Sequence, residues 1–491
     1  MTETTVPDGT PVAPPPELTA QEVAALTGGA LRQGDPRTAI CGTGIDSRTI
    51  APGMLFVALA GEHADGHRFV GEAMHRGAAA ALVSSEVSGV SQGSALIRVP
   101  KTLPAFQRLA RAVRDREKLR VVGITGSVGK TSTKEMAAAV AGRRYRTARS
   151  PENWNTEIGI PLMLTNMPRD REVAIVELAM RGPGQIRELA EICRPEIGVI
   201  TLIGESHMDF FKSREDLAAA KGELIESLPA DGVAIVNAED PLAMSLIRRS
   251  RARRLVFGLS GGDVTAEDVR TRGEQGSTFR LRLPGGSSDV VLPVPGRHAV
   301  SNALAAAAVG VALDVPASEI ARGLALARPL PMRLEVRPNV SFTVLDDAYN
   351  SSPQSVEAAL DVMKEIAGSP RIAVLGDMKE LGRDSPEAHR RVGRLAARQH
   401  LDLLVAFGPL AADLAAGARE AGPVRVVHTT DLAEAVSVVL QAVAPGAVVL
   451  VKGSRAMMME RVVAALEAAA PVPPSAGRTS PPSGKTAGRS R

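Results

Sequence analysis

The stretch G-I-T-G-S-V-G-K-T-S-T-K-E, Gly123 to Glu135, sets glycines, a lysine and hydroxyls in an order suited to a nucleoside triphosphate. Gly126 and Gly129 let backbone N–H groups approach phosphate oxygens, Lys130 brings positive charge to the β- and γ-phosphates, and the Thr131 hydroxyl is placed for magnesium. The common phosphate loop has four residues between its first glycine and Gly-Lys-Ser/Thr. Here five separate Gly123 from Gly129, so Gly126 must frame a shorter loop, T-G-S-V-G-K-T, that starts at Thr125, includes Ser127 and leads into Ser132.

Other chemistry-bearing residues stand at the ends of apolar runs. Glu177 closes V-A-I-V-E-L, where a magnesium ligand and an acid opening a loop fit equally well. His207 follows I-G-V-I-T-L-I, and a lone histidine there is more often structural than a ligand. Lys221, in S-R-E-D-L-A-A-A-K-G-E-L-I, reads on its own as a solvated helix lysine. Asn237 to Asp240, N-A-E-D, lacks the lysine of a guanine reader and reads as a strand end followed by a helix cap. Leu345 to Ser355, L-D-D-A-Y-N-S-S-P-Q-S, sets Asp346, Asp347, Tyr349 and Asn350 at a strand end, before a helix capped by Ser352 and begun by Pro353. Paired acids there suit a ribose or a metal-bridged phosphate. Lys452, Ser454 and Arg455 end the last apolar run and suit an anionic carboxylate or phosphate.

These residues need strands to present them. From L-R-V-V-G-I-T onward, unbroken apolar runs alternate with amphipathic helical patterns such as G-Q-I-R-E-L-A-E-I-C, which predicts a parallel sheet covered on both faces. The rhythm repeats after Pro329 through F-T-V-L-D-D-A-Y, R-I-A-V-L-G-D-M, D-L-L-V-A-F-G and A-V-V-L-V-K-G-S, predicting a doubly wound sheet with ligands at the carboxyl ends of its strands. A first block with M-L-F-V-A-L and A-L-I-R-V is small and mixed. The expected fold is therefore α/β in three domains: 18–118, small and mixed; 119–328, a central parallel-sheet phosphate-loop ATPase domain; and 329–470, doubly wound. Residues 1–17 and 471–491 are rich in Pro, Ser, Thr and Gly and read as disordered tails.

The net charge of +4 rests on four bases of the last segment, Arg478, Lys485, Arg489 and Arg491; without them 54 bases balance 54 acids. A neutral body with two tyrosines and one tryptophan argues against nucleic acid as a partner. Cys41 and Cys193 are the only cysteines, too few for a disulfide framework or a cysteine zinc site. The first residues lack the bases and apolar run of a signal peptide, and the strongest apolar stretch, near Ala303 to Leu313, is too short to span a membrane. A cytoplasmic protein is expected.

Taken together, these stretches resemble the Mur ligase family over residues 18 to 468, and the short loop T-G-x-x-G-K-T is that family's own form. D-S-R-T-I-A-P-G-M-L-F-V-A-L-A-G-E-H-A-D-G-H-R-F is similar to its uridine-nucleotide domain, with Ser47, Arg48, Asp65 and His67 at motif positions. Asn153 and Asn155 lie in N-W-N-T, where Thr156 replaces the asparagine of many relatives. Tyr349-Asn350 together with L-G-D-M-K-E-L-G, Leu375 to Gly382, sets the chain apart from sister ligases and from folylpolyglutamate synthases, the nearest alternatives. A nonenzymatic nucleotide-driven switch is the alternative of another class, and it would need no amine-acceptor site.

The resemblance implies further roles. Glu177 and His207 match magnesium ligands alongside Thr131, and Lys221 matches a lysine carried as a carbamate, so that Lys130, Glu177, His207 and Lys221 form the catalytic set. Asn302 matches an adenine contact, and Arg333 and Asp347 match positions on the phosphates and ribose. The implied cofactors are ATP and Mg2+. The implied partners are UDP-N-acetylmuramoyl-tripeptide and D-alanyl-D-alanine, acted on by a monomer.

Overall fold

The computed structural model describes residues 13–61, 64–151, 153–205, 208–338 and 341–469. It forms two compact units: one holds the residues up to Leu330 together with Ser352–Glu365 and Glu380–Ser385, and the other holds Pro331–Ser351, Ile366–Lys379 and the residues from Pro386 onward. The expected tails 1–17 and 471–491 lie outside the described residues except for 13–17. Glu17–Thr19 pairs antiparallel with Ala39–Cys41, and the Pro14 carbonyl accepts the Arg169 N–H at 3.2 Å.

The first unit carries two larger sheets. A five-stranded sheet runs in the order Ala30–Gln33, Ala95–Arg98, Ala80–Val83, Leu55–Val57 and Thr43–Gly44, parallel except at its first pair. It joins the next region through Thr43, whose backbone N–H donates to the Asn166 side chain at 2.9 Å and whose hydroxyl meets that of Thr165 at 2.6 Å.

The second sheet has nine strands, with Arg120–Thr125 between Ile197–Ile200 and Val173–Glu177, all parallel. Along Arg120–Thr125 the side chains alternate between two cores, Val122 and Ile124 facing one and Val121 the other, which is why its apolar run is unbroken. The first core is closed by helices Lys130–Ala141, Arg297–Ala312 and Ala317–Ala325, and the second by Gln185–Cys193 and Arg214–Glu226. Beyond the parallel strands, Val264–Thr271, Ser277–Leu283 and Gly286–Leu292 form an antiparallel meander. The expected parallel sheet is present, and this meander is an addition to it whose alternating buried and exposed residues carry the half-exposed pattern of hairpins rather than apolar runs.

In the second unit six strands run in the order Glu335–Pro338, Phe342–Asp347, Ala447–Lys452, Arg371–Gly376, Leu403–Phe407 and Arg425–Thr429. All pairs are parallel except the first. Lys452 stands opposite Asp347 on one neighbour and Leu375 on the other, so three strands end level. No helix among the described residues is long and apolar enough to cross a membrane.

Candidate active site

Thr125 ends the central strand, and the chain turns through Gly126 (φ 150°) and Gly129 (φ 86°) into helix Lys130–Ala141. Both glycines are required for close approach as well as for φ. A Cβ at Gly126 would lie 2.0 Å from Thr201 Oγ1, and one at Gly129 would lie 2.4 Å from Asn302 Oδ1. Thr201 supports the loop from the neighbouring strand by donating its hydroxyl to the Val128 carbonyl at 2.6 Å. The buried Ser127 hydroxyl finds no partner among the described residues. Two glycines without side chains and an unmatched Ser127 hydroxyl at a helix N-terminus fit a phosphate chain.

Two lysines converge on this loop. Lys130 Nζ donates to the Gly126 carbonyl at 2.8 Å, and Lys221 Nζ donates to the same oxygen at 3.0 Å. The solvated reading of Lys221 is overturned, since it is 2% exposed. Burial, and then the charge of Lys130, hold the Lys221 ammonium well below the ordinary lysine range. Its position follows from two glycines. Gly123 and Gly198 face each other across neighbouring strands, and Cβ atoms there would sit 3.0 and 3.2 Å from Leu224. With no side chains at those points, helix Arg214–Glu226, capped by the Ser213 hydroxyl on the Asp216 N–H, settles onto the sheet and carries Lys221 inward.

Glu177 ends the adjacent strand and is buried beside the loop. Its Oε2 accepts the Thr131 hydroxyl at 2.9 Å, its Oε1 accepts the Asn155 amide at 3.1 Å, and its backbone N–H donates to Ser150 Oγ at 3.1 Å. Asn153 has φ 66°, and Thr156 accepts the Gly159 N–H at 3.3 Å, serving the start of helix Gly159–Asn166. A hydroxyl and a carboxylate side by side are hard oxygen donors that fit magnesium. His207 lies outside the described residues, and among those described no three His, Cys, Asp or Glu side chains gather into a metal cluster. Asn302 borders Gly129 and accepts the Thr133 hydroxyl at 3.4 Å. Ser132 follows on the first turn of the loop's helix.

Of the first-block residues, Ser47 donates to Glu72 at 3.0 Å, and Arg48 pairs with Asp46 at 2.7 Å while staying largely exposed. His67 is spent on the fold: its Nε2 accepts the Ser84 N–H at 2.8 Å, so Nδ1 carries the proton and donates to Asp65 at 2.6 Å.

In the second unit Arg333 lies over the Tyr349 ring at 4.0 Å. Lys452 is buried, donating to Asp347 at 2.6 Å and to the Asn350 carbonyl at 2.8 Å. Burial raises the Asp347 carboxyl, with Lys452 opposing the shift. Ser454 Oγ accepts the Lys379 N–H at 2.8 Å, and Arg455 pairs with Glu460 at 2.9 Å.

Sequence reasoning missed Lys134, Ser150 and Thr201. Lys134, 1% exposed, donates to the Ser150 carbonyl at 2.7 Å and so fastens the loop's helix to the strand end beside Glu177. Its only local signal is its place one helical turn after Lys130.

Residues 39–114, 124–310 and 332–455 match, in turn, the family models described as Mur ligase family catalytic domain, Mur ligase middle domain, and Mur ligase glutamate ligase domain. The chain belongs to the Mur ligase family. As a Mur ligase it is an enzyme that joins two molecules. It is 35% identical over 450 residues to UDP-N-acetylmuramoyl-tripeptide--D-alanyl-D-alanine ligase of Bacillus subtilis, covering 91% of this chain and 97% of that one. Among solved structures it is similar to MurF from Acinetobacter baumannii, with TM-score 0.86 and 32% identity, covering 93% of this chain and 100% of the other. MurF ligase from Thermotoga maritima, solved in complex with ADP, matches with TM-score 0.78 and 28% identity, over 87% and 97% of the two chains.

Proposed function

We propose that this Mur ligase uses ATP to join D-alanyl-D-alanine to UDP-N-acetylmuramoyl-tripeptide in peptidoglycan precursor synthesis. The observation that carries the reading is the convergence of Lys130 and Lys221 on the glycine cradle, beside the Thr131–Glu177 pair. It stands in a chain that matches a relative of that name along nearly its whole length.

The tripeptide carboxylate attacks the γ-phosphorus of ATP, breaking its bond to the bridging oxygen and giving an acyl phosphate and ADP. The dipeptide amine then attacks the acyl carbon, and phosphate leaves with the bonding electrons as the nitrogen loses its proton. Anions crowd together in both steps, and Lys130 offsets their repulsion at the loop. Thr131 and Glu177, with a carbamylated Lys221 and His207, would hold Mg2+, which supplies charge neutralisation at the transferred phosphoryl group. Lys134 and Ser150 keep Glu177 and Asn155 in register with the loop. Asn302, Arg333 and Asp347 are assigned to the nucleotide. Ser47, Arg48 and Asp65 of the segment 18–118 are assigned to the uridine substrate, and 329–470 to the amine.

The test is ADP release and product mass with purified protein, ATP, Mg2+, UDP-N-acetylmuramoyl-tripeptide and a panel of amines. Turnover is expected with D-alanyl-D-alanine. Turnover with a single amino acid on a shorter UDP-peptide, and none with the dipeptide, would replace this reading by that of a sister ligase.

A further inference from the structure

From Ile247 to Leu255 the chain reads I-R-R-S-R-A-R-R-L, which sets five arginines within seven positions of a body whose bases and acids balance overall. Arg248 and Arg249 close the short turn Ile247–Arg249, Arg251 lies in the connection that follows, and Arg253 and Arg254 open the strand Arg253–Gly258. All five are exposed, whereas Ile247, Ala252 and Leu255 between them are buried in the cores beside the nine-stranded sheet. The apolar groups go inward and the charges stay in solvent. Among the described residues only Arg249 meets an acid, Glu226 at 3.4 Å, and that carboxylate also receives Arg187 at 3.3 Å. Arg248, Arg251, Arg253 and Arg254 form no ion pair there. Arg253 stands level with Val233, and Val233 with Ile197, at the amino ends of their strands, while Thr125 and Glu177 stand at the carboxyl ends of theirs. The arginines and the nucleotide loop therefore lie at opposite edges of one parallel sheet.

Guanidinium groups gathered so closely repel one another, and anions supplied from outside relieve that repulsion. A folded protein partner would need an apolar or aromatic anchor at the centre of the contact, and no large apolar side chain of this stretch is exposed. Single-stranded nucleic acid would need aromatic platforms, and the stretch contains no aromatic residue. An array of phosphates makes neither demand, and each guanidinium can grip two phosphate oxygens at once. We propose that Arg248, Arg249, Arg251, Arg253 and Arg254 form a docking surface for a bilayer rich in anionic phospholipid. The attachment is peripheral and reversible, because it rests on charge with no apolar side chain to insert. It leaves the nucleotide loop at the far edge of the sheet, clear of the contact.

The test is co-sedimentation of the full chain with sucrose-loaded vesicles at low salt, comparing equal parts phosphatidylglycerol and phosphatidylcholine with phosphatidylcholine alone. Binding is expected on the anionic vesicles only, and it should fall steeply as added salt shortens the reach of the charges. Arg248→Ser, Arg251→Ser, Arg253→Ser and Arg254→Ser combined should lower that binding by about 100-fold or more, at roughly fivefold for each arginine. ADP release and the urea midpoint should stay at their wild-type values. Should the combined variant fail to fold, Arg251→Glu alone, in the connection, is expected to weaken binding by about 20-fold. A second full-length variant with Arg478, Lys485, Arg489 and Arg491 changed to serine should lose less binding than the first. Loss confined to this second variant, binding unchanged in the first, or no preference for anionic vesicles overturns the proposal. Tighter binding to duplex DNA than to anionic vesicles at the same salt also overturns it, and would assign the arginines to nucleic acid.

Discussion

Lys130 and Lys221, ninety-one positions apart in the chain, donate to one and the same oxygen, the carbonyl of Gly126, at 2.8 and 3.0 Å. Two ammonium groups brought together at a buried point repel each other, and that arrangement makes sense where an anion joins them or where one lysine gives up its charge. Carbon dioxide reacts with a neutral amine to give a carbamate, an anion with two hard oxygens. Lys221→Ala is therefore expected to lose roughly 100-fold or more in activity, with millimolar acetate or formate restoring part of it. Intact-protein mass spectra should show the wild type, but not the variant, gaining one carbon dioxide in bicarbonate. Full activity in Lys221→Ala would refute the role.

Gly123 and Gly198 set the depth of the helix that bears Lys221. Valine suits a central strand, so Gly123→Val should harm only through crowding against Leu224 and Leu178. The expected cost is about 1–3 kcal/mol of stability, measured by urea unfolding, with activity falling further than stability accounts for. A stable and fully active variant would detach the glycine seat from catalysis.

His67 bridges Asp65 and the Ser84 backbone. Replacing it by alanine leaves the half-buried Ser84 N–H without its partner, while Asp65 keeps the backbone N–H of residue 67, at a cost of about 1 kcal/mol or somewhat more for the unsatisfied group. Thermal unfolding should therefore move to lower temperature, while kcat at saturating UDP-tripeptide stays near the wild-type value. An unchanged melting temperature with a raised KM for the UDP-tripeptide would return the ring to the substrate.

Asp46 is held at a pKa of about 2 by its side-chain hydrogen bonds to Arg48, and then by the Arg48 backbone N–H. A carboxyl depressed below its unfolded value of about 3.9 adds stability that is complete above that value and disappears as pH falls toward 2. The pair is exposed, so the gain is small. In Arg48→Ala the Asp46 carboxyl should titrate closer to the ordinary aspartate value, read from side-chain NMR shifts between pH 2 and 6. If Arg48 instead turns to the uridine substrate, adding that substrate to the wild type should raise the Asp46 pKa.

The loop was legible in the sequence because its chemistry is local: glycines, lysine and threonine act within a few positions, and the apolar strand before them is continuous. The cap at Asp240 was legible for the same reason, and it accepts the Leu242 and Ala243 N–H groups as expected. Read without the family resemblance, Lys221 looked solvated because its burial depends on Gly123 and Gly198, and a helix sequence carries no mark of what lies beneath it. The bond from the Ser84 N–H to His67 was not legible, since no motif around His67 includes Ser84.

The glycine pair has a bearing on how variation in this chain should be interpreted. Neither Gly123 nor Gly198 offers a functional group to any ligand, and yet together they determine how far an amine reaches toward the nucleotide loop. A mutational map built from ligand contacts would colour both positions as inert framework. Growth-based selection should instead find them intolerant to the size of a single branched side chain, and intolerant in concert with Leu224. Compensating changes would then arise as paired swaps of volume between strand and helix, leaving every polar residue of the site untouched.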